Sequence, residues 1–554
     1  MTTSETFNRW LDSFLHHLFS RRPVDATFAG IREYNAQLPD VTRNGLEETR
    51  NELASLLDEL SAIGRDELDR FQKIDYDLAE GFMKTQLWER ESGYFYDINP
   101  TTYTGEAAFG LVSLFVSDFR PAREKRHDLE ARLRATPGFL AAARQNLSGA
   151  HPAWIERAVT ECTGALNFLA SGIPILQEDE GLEVDSEPVE QAAAAFREFQ
   201  AFLETDLTRR AIHTAACGEE AFRNIVAWSH QTDVDPIEYA AHAEEVVDEC
   251  ERKLQSGAAA FGAASPEEAL ARLADDHPRV DDYLPTYRRL WEESRELSER
   301  EELVTWSDFP IEYRPIARWA RDVQPHLYFL YYRCPPRYNR PDSYIYHVIP
   351  VEETMSAEEQ EARLRSNNTF VIKTNHVLHH GGIGHHVQNW NAIRSRSRIG
   401  QISMTDGPAR LTMLCSGTLC EGWACYATEL AGEHGFLSPL EQYAELSSQR
   451  RMAARAVVDV RLHCEVYSLD DAIRFYRERA KMPEGFARSE AVKNSLFPGG
   501  AIMYLYGIER IKALRDEMQD TKGADFSLKA FHDEFLSDGG VPAERIASET
   551  QGTF

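Results

Sequence analysis

Apolar residues recur every three or four positions through most of this chain, and that period constrains the fold more than any other feature. Such spacing places the apolar side chains on one face of an α-helix. The clearest stripe consists of Phe7, Trp10, Leu11, Phe14, Leu15, Leu18 and Phe19. Further stripes with this spacing cover 46–60, 68–82, 158–169, 192–207, 237–261 and 287–297.

Residues that interrupt helices separate these stripes. Proline lacks a backbone N–H and glycine is a poor helix former, so we expect breaks at Pro23, Gly64, Pro100, Pro137, 148–152, Pro174, Pro236 and Pro266. The chain has 554 residues, 43% of them hydrophobic, which is enough to bury a large core without disulfides or metal. The sequence therefore predicts a large, mainly α-helical fold with a cleft.

Two short segments in the middle of the chain depart from the helical pattern. Residues 343–351 (SYIYHVIPV) and 368–374 (NTFVIKT) are rich in β-branched and aromatic residues, which favour strands. Pro350 cannot donate a ladder hydrogen bond and suits an edge strand. We predict a small β element that edges the cleft and precedes the densest group of histidines.

No linker rich in proline, glycine or serine divides the chain. We therefore expect a single helical domain over 1–554. Two lobes are the open alternative: a mostly helical scaffold over 1–340 and a site-bearing part over 341–554.

Charge and hydropathy exclude several classes of protein. The 90 acidic and 60 basic residues give a formal net charge of −30, which repels nucleic-acid phosphates. The longest apolar run, 109–116, is far shorter than the roughly 18 residues of a membrane span. Glu5, Arg9 and Asp12 interrupt any signal-peptide core. We predict a cytoplasmic protein without nucleic-acid or membrane partners.

The eight cysteines include no CxxC pair. Cys415, Cys420 and Cys425 are spaced by five residues, which is neither a zinc-ribbon nor a redox spacing. We interpret the cysteines as small buried thiols in a reducing compartment.

The segment 375–390, NHVLHHGGIGHHVQNW, carries the clearest chemical signal. Five of the chain's 18 histidines lie here within eleven residues: His376, His379, His380, His385 and His386. Imidazole is the commonest metal ligand and can transfer protons near neutral pH. A glycine-rich turn with solvated histidines is the alternative interpretation.

The spacing of these histidines differs from the HExxH pattern, in which two histidines lie four residues apart. His386 follows His379 by seven residues, which advances about 10.5 Å along a continuous α-helix. Two imidazoles on one zinc ion, each at about 2.0–2.1 Å, barely tolerate that separation. A break or bulge at Gly381, Gly382 and Gly384 could instead re-aim His385.

A later segment supplies an acidic ligand. Residues 419–432, LCEGWACYATELAG, have a helical apolar stripe and carry Glu421. A glutamate on a helix that follows the histidines could be a third zinc ligand, although a solvated charge is the alternative. We expect zinc or another divalent metal to be held by His379, by either His385 or His386, and by Glu421.

Two further segments offer polar groups for catalysis. Arg455, Asp459 and His463 lie four residues apart, on one helical face. His463 could stabilise an oxyanion or support a metal ligand, and the alternative is an ion-pair stripe. Tyr504 follows the turn Pro498–Gly499–Gly500 and could donate to an oxyanion or simply pack in the core.

The motifs occur in an order that resembles the bacterial domain-of-unknown-function family 885, over nearly the whole chain. The resembling segments are 23–34, 131–147 with 154–169, 378–388 over HExxPGHHxQ, 421–424 over EGWA, 455–463 over RxxxDxxxH, 498–507 over PGQAxxYxxG, and 526–542. That family looks related in fold to the all-helical carboxypeptidase Taq type of metallopeptidase, a gluzincin. The resemblance implies a metal-dependent peptidase.

This chain departs from the family motifs at several positions. The glutamate of the family motif is His380 here, its proline is Ile383, the glutamine of PGQA is Gly500, and the usual lysine after the tyrosine is Leu505. Histidine can accept a proton, so we predict His380 as the base, with His463 or Tyr504 as the oxyanion donor. His380 as an additional metal ligand, and loss of catalysis, stay open.

Two functions follow from these observations. The first is a metal-dependent hydrolase that cleaves an amide or another C–N bond in a small peptide or acyl-amide substrate. The second is a non-catalytic descendant that binds a metal or a small ligand. A homodimer is an open possibility for the assembly.

Overall fold

Helices form where the apolar stripes predict them, as a computed structural model of residues 2–327, 332–408 and 417–550 shows. In α1 (Thr3–Arg21), Thr2 and Glu5 form a reciprocal capping box, which satisfies backbone donors at the helix start. The stripe Phe7, Trp10 and Phe14 is buried. The prediction of a mainly α-helical protein is confirmed.

The chain divides into two compact units, of which unit 1 comprises residues 1–215, 316–341 and 397–415. The helices after α1 in this unit are α2 (Pro23–Ala29), α3 (Arg43–Ser61), α4 (Arg70–Glu91), α5 (Thr101–Val116), α6 (Arg126–Asn146), α7 (Pro152–Asn167), α8 (Ile173–Glu180) and α9 (Ser186–Phe202). Its core includes Tyr103, Phe109, Leu133, Phe168 and Trp319.

Two prolines that we expected to break helices lie inside helical segments of unit 1. Pro137 lies within α6, where it removes one backbone hydrogen bond. Leu133 and Leu140 of α6 are buried in the core, and this burial offsets the loss. Pro174 is near the start of α8, directly after the π-helical turn Phe168–Gly172 that joins α7 to α8.

The joined helix Pro152–Glu180 is long and apolar enough to span a membrane by length and composition, and is the one such stretch found among the described residues. Half of its most apolar window is buried, and Ile155, Cys162 and Leu176 lie in the core of unit 1. A core helix of a water-soluble domain meets the same criteria, so this stretch is weak evidence for a membrane segment.

Unit 2 comprises residues 216–315, 342–396 and 416–554. Its helices are α10 (Glu219–His230), α11 (Pro236–Gly257), α12 (Pro266–Ala271), α13 (Tyr283–Arg300), α14 (Ala357–Ser366), α15 (Thr369–Val371), α16 (His385–Ala392), α17 (Gly417–Glu433), α18 (Pro439–His463), α19 (Leu469–Glu478), α20 (Glu484–Leu496), α21 (Met503–Lys522), α22 (Leu528–Ser537) and α23 (Ala543–Thr550). All predicted site residues lie in this unit.

The predicted strand over 343–351 is present as β2 (Tyr344–Val348). Its partner is β1 (Ile311–Pro315), which we did not predict, and the two strands pair in parallel with Ile311 opposite Tyr344. Tyr313 and Tyr346 lie opposite each other in this register, and both are buried.

The predicted strand over 368–374 is wrong. Asn368 caps α15 by accepting a hydrogen bond from the Val371 N–H, and a π-helix, Ile372–Gly381, follows directly. Ile372 and Val377 of the π-helix are buried, and the π-helix packs against α13 and α17. The helical cap and these tertiary contacts overrode the strand propensity of the β-branched residues.

Candidate metal centre

The π-helix Ile372–Gly381 presents the first histidines of the cluster. Its end is anchored by the indole N–H of Trp291, which donates to the carbonyl of Gly381 at 2.8 Å. A π-helix has more residues per turn than an α-helix, so successive side chains are separated by a smaller angle. The rings of His379 and His380 accordingly lie side by side, with centroids 4.7 Å apart.

A tight turn at Gly381–Gly384 then reverses the chain onto the π-helix. The N–H of Gly382 donates to the carbonyl of Val377 at 2.7 Å, and the N–H of Gly384 donates to the carbonyl of Leu378 at 2.9 Å. A Cβ atom on Gly384 would lie 2.0 Å from the carbonyl oxygen of His379, so only glycine fits this approach. The turn starts α16 directly beside the end of the π-helix.

This turn places the imidazole of His385 beside those of His379 and His380. Its ring centroid is 4.7 Å from that of His379 and 5.5 Å from that of His380. One ring nitrogen from each of the three histidines lies within 4.8 Å of the other two. The three imidazoles therefore form one compact cluster.

Glu421 joins this cluster from α17. Its Oε2 atom lies 3.4 Å from Nε2 of His379 and 3.8 Å from Nε2 of His385. Its position depends on the close packing of α17 against α21, where a Cβ on Gly422 would lie 2.6 Å from Cα of Gly507. The structure thus brings His379, His385 and Glu421 together, as the sequence predicted.

Hydrogen bonds fix the position of the ring proton in two of the imidazoles, those of His380 and His385. Nδ1 of His380 donates to the backbone carbonyl of Asn375 at 2.6 Å. Nδ1 of His385 donates to Oε1 of Gln388 at 3.1 Å. The amide of Gln388 is oriented because its Nε2 donates to the carbonyl of Leu419 at 2.8 Å. Both rings therefore carry the proton on Nδ1 and the lone pair on Nε2.

Two thiols from α17 touch the same imidazoles. Sγ of Cys420 is 3.8 Å from Nδ1 of His385, and Sγ of Cys425 is 3.9 Å from Nδ1 of His379. Cys420 also groups with His385 and Glu421 as a potential ligand set. Cys415 lies outside the described residues.

Charge and burial set the protonation of the cluster. Burial lowers the pKa of His385 to about 4, although the Glu421 carboxylate opposes this. Burial and the neighbouring His379 and His385 lower the pKa of His380 well below its ordinary value. Burial acts to raise the pKa of Glu421, but the hydrogen bond from His379 and the charge of His385 outweigh it and hold that pKa well below its ordinary range.

His386 lies away from the cluster. Its Nε2 is 2.7 Å from the carbonyl oxygen of Phe309, to which it donates, and its ring stacks on the Phe309 ring. Of the two alternatives that the sequence left open, His385 is therefore the histidine that reaches Glu421.

His463 is fully buried and is occupied by contacts within the core. Its Nε2 donates to the carbonyl of Asn494 at 2.9 Å, and its ring stacks on Phe222. Asp459, on the same face of α18, accepts hydrogen bonds from the N–H groups of Ala501 and Ile502 at 2.8 and 2.9 Å. Asp459 thus anchors the turn that leads into α21 and Tyr504.

Tyr504 lies next to charged groups of the site. Its ring is 4.6 Å from the guanidinium carbon of Arg455, which pairs with Glu490 at 2.6 Å. Burial and the negative charge of Glu421 raise the pKa of Tyr504 well above its ordinary value. The phenol is therefore protonated and able to donate a hydrogen bond.

The sequence interpretation missed several contacts that complete the site. Gln388, Asn375, Cys420 and Cys425 contact the imidazoles, and Arg455 contacts Tyr504. The spacing of Gln388 three residues after His385, on the first turn of a helix, is the signal that could have indicated its contact. The contact of Asn375 depends on the π-helix, for which the sequence carries no comparable signal.

The residues present fit a divalent metal. Neutral imidazoles and an ionised carboxylate are the donors that zinc takes, and the lowered pKa values of His380, His385 and Glu421 provide these three groups in that state at neutral pH. The hydrogen bond from Nδ1 of His385 to Gln388 is the outer-shell contact typical of metal-ligating histidines.

The fold and the cluster together define a mainly helical protein with a histidine–glutamate site of metal-ligand type. The family model described as bacterial protein of unknown function (DUF885) matches residues 23–549, and the chain belongs to this family. It matches none of the curated proteins.

Two solved structures share the fold. A proposed lipoprotein of unknown function from Shewanella oneidensis is 21% identical, with a TM-score of 0.78 over 98% of this chain and 99% of its own. A proposed lipoprotein from Colwellia psychrerythraea is 16% identical, with a TM-score of 0.75 over 99% of each chain. At these identities the likeness establishes the fold alone.

Proposed function

We propose that this protein is a metal-dependent hydrolase that cleaves an amide or another C–N bond in a small peptide or acyl-amide substrate. The observation that carries the proposal is that His379, His385 and Glu421, from three helical segments, come together: Oε2 of Glu421 lies 3.4 Å from Nε2 of His379 and 3.8 Å from Nε2 of His385. Zinc is the metal that this donor set suits best.

The order of motifs supports descent from gluzincin metallopeptidases. In that arrangement a histidine pair precedes a glutamate on a later helix, and here the π-helix and α16 precede α17 in the same order. We propose that β2 edges a substrate cleft beside this site. Because family membership is weak evidence for an activity, the reaction class depends on the site itself.

When bound, the metal would supply a Lewis acid that polarises the scissile carbonyl and acidifies water. Glu421, which is ionised, would be one of the groups that hold the metal and would offset one of its two positive charges. Tyr504, a protonated phenol close to Glu421, is the proposed donor to the oxyanion. His463, which the sequence offered as an alternative donor, instead supports the core around Asp459 and the turn before Tyr504.

The experiment is metal analysis of the full chain, followed by assay of the zinc-, manganese- and cobalt-loaded protein on dipeptides and N-acyl amino acids. We expect stoichiometric metal and hydrolysis of at least one substrate class. Glu421→Gln should reduce metal content and activity together. A wild-type protein that binds metal but cleaves nothing in the panel would favour the alternative, a non-catalytic binding protein. The replacement of the motif glutamate by His380 is the sequence feature that supports this alternative.

We also propose a cytoplasmic location and a small-molecule substrate, without nucleic-acid or membrane partners. The two structural relatives are proposed lipoproteins, so attachment to a membrane is the alternative. Fractionation of cells that express the full-length gene distinguishes the two locations, and light scattering tests for the homodimer.

A further inference from the structure

We propose that His380 is a third imidazole ligand of the metal, so that the site consists of three histidines and one glutamate. This inference rests on the proposed metal centre and assigns His380 a role different from the base that the sequence predicted. It concerns the one position where this chain replaces the glutamate of the family motif.

The first argument is the position of the ring. His380 is packed against both of the other imidazoles, with centroids 4.7 Å from His379 and 5.5 Å from His385. A ring nitrogen of His380 lies within 4.8 Å of a nitrogen on each of them, which one ion can bridge after small side-chain rotations. A base acts on water that itself lies next to the metal, and so needs no such contact with the other ligands.

The second argument is the hydrogen bond on the opposite side of the ring. The carbonyl of Asn375 can only accept, so Nδ1 of His380 carries the proton and the lone pair is on Nε2. Metal-ligating histidines typically donate their other N–H to a backbone carbonyl or carboxylate in this manner. His385 is held in the same tautomer by Gln388.

The third argument is the rigidity of the support. The ring of Tyr346 from β2 lies edge-on to His380, with centroids 6.2 Å apart, and the hydroxyl of Tyr346 bonds Nδ1 of His376 at 2.6 Å. The imidazole is thus held by its backbone partner, by an aromatic ring and by two neighbouring imidazoles.

Three imidazoles and one carboxylate select a class of metal. Nitrogen-rich sites favour zinc, cobalt, nickel and copper ions, whereas magnesium, calcium and manganese prefer oxygen ligands. We therefore expect the apoprotein to take up zinc and cobalt ions and to discriminate against magnesium and calcium.

The test compares wild type with His380→Gln. The control is His434→Gln, the same substitution at a partly exposed histidine just after α17 that lies beside Glu301 outside the cluster. Calorimetric titration of each apoprotein with zinc gives the dissociation constant. Loss of a ligand should weaken binding by more than the roughly 10- to 100-fold that loss of an outer-shell partner causes. His434→Gln should bind within about threefold of wild type, because an imidazole outside the ligand set and its supporting contacts makes no metal bond.

A second measurement counts the ligands directly. In proton NMR spectra of the cobalt-loaded full chain, each coordinated imidazole contributes one shifted, solvent-exchangeable N–H resonance. We expect three resonances in wild type and in His434→Gln, and two in His380→Gln. Circular dichroism and thermal unfolding of the apoproteins verify that each variant is folded.

Two results would overturn the inference, and they differ in what else they affect. If wild type shows two resonances and His380→Gln keeps the zinc affinity, His380 is not a ligand and the proposed metal centre survives. If wild type binds neither zinc nor cobalt, the metal centre itself fails and the inference fails with it.

Discussion

Gly384 is the residue on which the geometry of the cluster depends most. The backbone at this position passes so close to the carbonyl of His379 that a side chain has no room. The close approach allows His385, the next residue, to face His379 instead of lying farther along a continuous helix. Glu421 then meets both imidazoles from α17, and the low pKa of its carboxyl keeps it charged.

The first prediction at the residue scale concerns Gln388, which supports the imidazole of His385 by a hydrogen bond. Gln388→Leu removes the acceptor of Nδ1 of His385 and the bridge to the carbonyl of Leu419. Zinc affinity should fall by roughly 10- to 100-fold, measured by competition with a chelator. Asn391→Leu, one turn further along α16, removes only a contact to Val387 and should leave the affinity unchanged. Equal losses in both variants would contradict the role of Gln388.

The second residue-scale prediction concerns the activity of His380 variants. His380→Glu restores the carboxylate of the family motif, so the loaded enzyme should retain or gain hydrolysis while it loses one imidazole ligand. His380→Ala should lose metal and activity together. The measurements are metal content and turnover side by side. An alanine variant that keeps full metal but turns over roughly 10²- to 10⁴-fold more slowly would identify His380 as the base.

At the scale of elements, the contact between α17 and α21 positions the acidic ligand. Gly422 and Gly507 face each other, and a Cβ on Gly507 would lie 2.1 Å from the carbonyl of Thr418. The helices therefore touch backbone to backbone, directly beside Glu421. The π-helix is the second decisive element, because its wide turn places neighbouring histidines on one side.

Gly422→Ala tests the helix contact. The added methyl must push α17 away from α21, and we expect a loss of about 1–3 kcal/mol in the free energy of unfolding, with weaker zinc binding. The matched control is Gly485→Ala in α20, where nothing lies within 4 Å of the new Cβ. Alanine there should be neutral or stabilise by up to about 1 kcal/mol. Chemical denaturation measures both, and equal effects would refute the packing argument.

At the scale of the whole molecule, buried histidines dominate the response to acid. Burial lowers the pKa to about 4 in seven described histidines: His17, His347, His376, His385, His386, His463 and His532. Unfolded histidine titrates near 6.5, so between pH 6.5 and 4 the unfolded chain binds more protons at these sites. Burial raises the pKa of Asp75 to about 6 and of Asp459 and Glu445 to about 7. At these three carboxyl groups the folded chain binds more protons than the unfolded chain, which stabilises the fold as the pH falls.

The histidines outnumber these carboxyl groups, so the metal-free protein should lose stability as the pH falls from 7 towards 5. The midpoint of thermal unfolding should decrease over this range, and calorimetry in buffers of different ionisation enthalpy should show net proton uptake on unfolding at pH 5.5. A midpoint that rises on acidification, with proton release, would contradict this assignment.

The sequence by itself determined the helical class, the helices that carry the periodic stripes, and the segments that supply the candidate metal ligands. Periodic stripes such as 7–19 commit a segment to one buried helical face whatever its neighbours are, and the histidine cluster with Glu421 marks a ligand set by residue type alone. Membership of the DUF885 family follows from motif order, which is also a property of the sequence.

Only the tertiary structure decided which histidine reaches Glu421 and what form 368–381 takes. The β-branched residues of 368–374 favour a strand locally, but packing on α13 and α17 makes the segment helical. The approach of Gly384 to His379, the partner of β2 at 311–315, and the core positions of His386 and His463 all depend on contacts between distant residues. Such contacts are decided by the packing of the folded chain and leave no periodic signal in the local sequence.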